Sequence, residues 1–177
     1  MEHMRETRWE PYRRERDSAR AAVLAERTDW VGELSEREVL LVGAVAYWCE
    51  GAKEKPWREI ARRLQFINSD EALIRLFVRF VVALGVERSA LRYRLSIHES
   101  ADVEAATRWW AEVVDAPAEG FQKPTLKKHN PVTVRKNTAD TYRGCLIVYV
   151  PKSSRLYWRV EGIMRGVALD TGVEGCR

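Results

Sequence analysis

Cysteine, histidine and long apolar runs are all scarce in this chain, and each scarcity excludes something. Cys49, Cys145 and Cys176 are widely spaced with no C-x-x-C pair, so neither a disulfide framework nor a zinc site is signalled, and they read as reduced bystanders. His3, His98 and His129 have no ligand spacing among themselves, which argues against a histidine-based metal centre. No apolar run approaches the roughly 18 residues that span a bilayer. The opening stretch MEHMRETRWEPYRRERDSAR is too charged for a secretory signal. A cytoplasmic protein with no membrane partner is expected.

The charge that is present is unevenly placed. The formal net charge of the 177 residues is +4. Residues 121–143 hold Lys123, Lys127, Lys128, Arg135, Lys136 and Arg143 against Asp140 alone, so the remainder is close to neutral. Pro124, Asn130, Pro131 and Asn137 break this segment into turns. Such a segment suits contact with phosphates, whose neutralisation releases counterions, and equally suits a solvated loop.

Residues 1–33 read as a charged helical arm, with 7 Arg and 7 Asp or Glu in the first 29 residues, few large apolar side chains before Val23 and Leu24, and a break near Pro11. Residues 34–170 read as one domain and 171–177 as a flexible tail. The domain opens with a capping box, Ser35 to Glu38, flanked by Leu34 and Val39 in staple positions, and a helix runs from there to about Glu50. Leu64, Phe66 and Ile67 mark a strand before the turn Asn68-Ser69-Asp70. Ser69 is the expected cap of a second helix, whose Leu73, Leu76, Phe77, Phe80, Val81 and Leu84 recur at helical spacing up to Gly85. Residues 91–98 alternate, with Leu91, Tyr93, Leu95 and Ile97 inward and Arg92, Arg94, Ser96 and His98 on an exposed basic face. Ser100 opens a third helix to about Val114, with Val103, Ala106, Trp110 and Val113 inward. Two further strands, 121–128 and 145–150, are joined by the basic segment, and Leu156, Val160, Ile163 and Val167 mark a closing helix. This order predicts an α+β fold with a mixed, largely antiparallel sheet.

The stretch LLVGAVAYWCEGAK, residues 40–53, carries the most chemistry. Gly43, Ala46, Tyr47 and Glu50 share one helix face, and the small residues would let another helix approach closely. Glu50 sits at the C-terminal end, where the macrodipole is already negative. Two readings account for it. Lys53 or Lys55 compensates the acid beside a Gly51 cap, or a divalent cation does.

That stretch, together with FINSDEALIRLFVRFVVALGV, LRYRLSIHES and YRGCLIVYV, resembles the LAGLIDADG homing-endonuclease-like family over roughly residues 35–168, in a single-motif form. The resemblance implies a helix ending in acid-Gly, here Glu50-Gly51, that holds Mg²⁺ or Mn²⁺ for phosphodiester hydrolysis, with Lys127 or Lys128 stabilising charge on the phosphate. It implies that Gly43, Ala46 and Tyr47 form the interface of a homodimer, because only one motif copy is present. It implies double-stranded DNA as partner, in the nucleoid. The residues that would meet it are Gln65, Arg92, Arg94, His98, Lys123, Lys127, Lys128, His129, Arg135, Lys136 and Arg143. Relatives of this fold also include regulators that bind DNA without cutting it and maturases that bind RNA, so a DNA-binding regulator is the alternative expectation.

Overall fold

The structure is a computed structural model that describes residues 2–53, 63–128 and 142–169, with side chains from Trp9 onward in the first stretch. The chain divides into two compact units, Met1–Ser35 and Glu36–Arg177.

The first unit is one helix, α1, spanning Glu2–Val31. Contrary to the expected break, it continues through Pro11, although proline lacks the amide hydrogen and crowds the preceding turn. Pairs such as Arg14 with Glu10 (four residues apart) and Arg16 with Asp17 lie along it. Both are exposed, so each contributes little.

The second unit contains, among the described residues, α2 (Glu36–Glu50), β1 (Gln65–Asn68), α3 (Glu71–Ala83), β2 (Arg92–His98), α4 (Val103–Val114), β3 (Gln122–Lys127), β4 (Cys145–Tyr149) and α5 (Ser154–Ala168). The sheet order is β1-β4-β2-β3. β4 pairs antiparallel with β1 and with β2, whereas β2 and β3 run parallel. The parallel pair follows from connectivity: α4 lies between β2 and β3, and parallel neighbours need such a crossover. The fold is therefore α+β with a mixed sheet in which antiparallel pairing predominates.

The core forms between one sheet face, bearing Phe66, Tyr93, Leu95, Leu146 and Val148, and the helices, which contribute Tyr47, Phe77, Phe80, Trp110 and Val160. Phe66 and Phe77 stack with ring centroids 4.8 Å apart, a geometry favoured by the aromatic quadrupole. Ser153, buried at the start of α5, accepts from the Leu64 amide at 2.8 Å and donates to the Val150 carbonyl at 2.7 Å. This one hydroxyl joins the approach to β1 to the exit from β4.

Helix ends depart from the expected caps. Asp70, not Ser69, caps α3: its side chain accepts from the amides of Ala72 and Leu73 at 2.8 and 3.2 Å, while Asn68 accepts from the Asp70 amide at 2.9 Å. A carboxylate there also complements the helix dipole. Asp102, not Ser100, caps α4 through the Ala105 amide at 2.9 Å. At the end of α3, Gly85 takes φ +90° and the Val86 amide returns to the Val81 carbonyl at 3.1 Å, the wrapped ending that glycine permits. In α5, Tyr157 and Val160 are buried, but the expected core residue Val167 is exposed.

Candidate nucleic-acid interface

At the end of α2 the packing corrects the expected dimer face. Tyr47 and Gly43 are buried within their own chain, and a Cβ on Gly43 would lie 2.4 Å from the Phe80 ring. The small residue thus admits α3 of the same chain. Ala46 is half-buried. The exposed side of α2 instead carries Val42, Val45 and Trp48. Gly51 is buried and forms a bridge with Phe66, and a Cβ there would meet the Tyr47 ring at 2.4 Å. The Tyr47 hydroxyl donates to the Ala52 carbonyl, and burial pushes its phenol well above the usual range, further than the backbone hydrogen bond at Gln65 lowers it.

Glu50 itself is exposed. Lys53 donates from Nζ to the Trp48 carbonyl at 2.6 Å, so its ammonium group caps the last turn of α2 through the backbone carbonyl. Among the described residues, no three His, Cys, Asp or Glu side chains converge to hold a metal ion. Mg²⁺ requires near-octahedral oxygen coordination, and among the described residues the end of α2 presents the exposed carboxylate of Glu50 near a lysine already bonded to the backbone. The described residues of one chain do not fit a divalent cation.

The sheet brings together residues that the sequence scatters. On its outer face the register aligns Gln65, Tyr149 and Arg92 across β1, β4 and β2. Next come Ile67, Ile147, Arg94 and Gln122, then Cys145, Ser96 and Thr125, and finally His98 beside Lys127. Five expected contact residues, Gln65, Arg92, Arg94, His98 and Lys127, therefore lie on one side of the sheet. An irregularity in β3 between Gln122 and Thr125 resets the alternation, which places Thr125 and Lys127 on this side. Lys123, Lys127 and Lys128 are exposed along the β3 edge. Arg63 lies over Tyr149, its guanidinium carbon 5.2 Å from the ring centroid, a cation–π contact that no sequence signal announced.

The residues are not equivalent. Arg92 is exposed but donates to the carbonyls of Ser89 and Leu91, both at 2.9 Å. His98 is buried: its Nδ1 accepts from the Ser100 amide at 3.2 Å and lies 2.7 Å from the Ser100 hydroxyl. An amide hydrogen directed at Nδ1 places the ring hydrogen on Nε2. His98 is thus a structural residue of the strand end, not part of an exposed basic face, and buried Ser96 beside it shows the same departure from simple alternation. Arg94 is half-buried, and its Nε is buried with no hydrogen-bond partner among the described residues. Arg143 precedes β4, its carbonyl accepting from the Trp110 indole at 2.8 Å. His129, Arg135 and Lys136 lie outside the described residues.

No helix among the described residues is long and apolar enough to cross a membrane. No protein-family model, curated protein or solved structure matches the chain.

Proposed function

We propose that the protein binds double-stranded DNA on the outer face of its sheet. One observation carries this reading: the four strands hold Arg92, Arg94, Lys123 and Lys127 and no Asp or Glu at all. A sheet face with cations of one sign, with Gln65 among them, matches the acceptor-rich surface of nucleic acid. Four strands at about 4.8 Å spacing span roughly 14 Å between the outer strand axes, wider than the roughly 12 Å major groove of B-form DNA, which admits a two-stranded ribbon. In this reading the sheet therefore lies over the groove and its side chains reach the base edges. The deep, narrow major groove of an RNA helix keeps its base edges out of side-chain reach.

Two copies pair in this reading, through the exposed side of α2. From Val39 to Cys49 that helix has no charged residue, and a helix apolar on all sides is ordinarily covered on all sides. Recognition without cutting asks nothing further of Glu50, and the lysine-capped end of α2 favours it. Hydrolysis is the second reading. It rests on the exposure of Glu50 and needs the carboxylates of two copies at one metal.

Selection from random duplex DNA in Mg²⁺, sequencing both retained molecules and new ends, tests both readings, with Glu50→Gln in parallel. The expected outcome is an enriched, uncut, near-palindromic site shared by both proteins. Discrete ends made by the native protein and lost in the variant would establish hydrolysis instead. Absence of enrichment, or stronger retention of folded RNA, would overturn duplex recognition.

A further inference from the structure

We infer that Arg94 reads a guanine through its edge, while the β3 lysines hold the sugar-phosphate backbone; this rests on the outer sheet face being the DNA surface. Three observations point to it. Arg94 stands on a central strand, aligned with Ile147 and Gln122, and Ile147 aligns in turn with Ile67. Its neighbours on one side are thus aliphatic, whereas the exposed cations Lys123, Lys127 and Lys128 follow the edge strand. Finally, Arg94 Nε is buried and makes no hydrogen bond among the described residues.

Buried donors in folded proteins are nearly always paired, because water has been removed from them without replacement. An acceptor brought by a ligand would complete the set. The Nε–H and a neighbouring Nη–H of a guanidinium are parallel and present a fork. Guanine offers O6 and N7 at the matching spacing in the major groove. A phosphate offers the same paired oxygens, but a phosphate belongs at the hydrated lysine edge. The recessed position beside Ile147 suits the less strongly hydrated base edge, and Ile67 beyond it suits the methyl group of a neighbouring thymine.

The test compares base preferences, position by position, of the full-length native protein, Arg94→Lys and Arg94→Gln in a random duplex pool. Affinity is also measured against salt. The native protein is expected to select guanine at one position. Arg94→Lys keeps the charge and the salt dependence, but loses roughly 10- to 100-fold of discrimination at that position. Arg94→Gln is expected to move the preference there from guanine to adenine, whose N6 and N7 suit an amide. A merely structural arginine would not produce that change of base. Equal weakening on all sequences would make Arg94 a phosphate contact and overturn the inference while leaving DNA binding intact. Salt-dependent binding without any base preference would do the same. No binding by the native protein would overturn both this inference and the reading it rests on.

Discussion

Gly43 sits mid-helix, where glycine costs roughly 1 kcal/mol relative to alanine, and the reason lies in its neighbour. Phe80 is fully buried, and its Cγ would be 2.4 Å from an added Cβ. Gly43→Ala is therefore expected to lower stability by about 1–3 kcal/mol despite the better helix propensity, because overpacking displaces a ring that has nowhere to go. Gly162→Ala in α5 is the contrast, since a Cβ added there would have no described neighbour within 4 Å, and it should gain roughly 0.5–1 kcal/mol. Urea denaturation of both variants reads the difference, and equal effects would remove the Phe80 contact as the cause. The same close approach explains why a small residue at this position does not mark a dimer contact. Small side chains signal that something comes near, and only the folded chain says that it is α3.

At the scale of elements, the start of α3 shows how a cap is chosen. Ser69 and Asp70 are both competent by residue type. Asn68 bonds the Asp70 amide, which sets the turn so that the Asp70 carboxylate reaches the amides of Ala72 and Leu73. Asp70→Ala should cost about 1 kcal/mol, and Ser69→Ala only a few tenths, by thermal or urea denaturation. A larger loss at Ser69 would contradict the cap. Helix α2 makes a related point. Its periodicity supplies one inward face through Val39, Ala44 and Tyr47 and another that is left exposed at Val42, Val45 and Trp48. An almost uncharged helix has no polar stripe from which to read which side turns inward.

At the scale of the whole molecule, the outer sheet face is assembled from segments far apart in sequence. Gln65 and Arg92 meet across β4 only because β4 inserts between β1 and β2. The DNA reading makes a quantitative demand on that face. Each phosphate neutralised contributes about 0.9 to the slope of log affinity against log salt, so Lys127→Ala with Lys128→Ala should flatten the slope by about two. An unchanged slope would remove the β3 edge from the interface.

Much was legible beforehand. The order of elements, the alternation of residues 91–95 and the helix spacing of Leu73 to Leu84 follow from periodicity, because burying one face of a strand or helix imposes a period of its own. The absence of acidic residues from all four strands is likewise a property of the sequence once the strands are located. Side-chain partnership was not legible. The burial of His98 beside Ser100, the lysine cap on α2, the Arg63–Tyr149 contact and the buried Arg94 Nε depend on register and on elements that meet through the fold. Local periodicity determines which residues can share a face. Only tertiary packing decides what that face meets, because the partner comes from elsewhere in the chain and competes with water for the same polar groups.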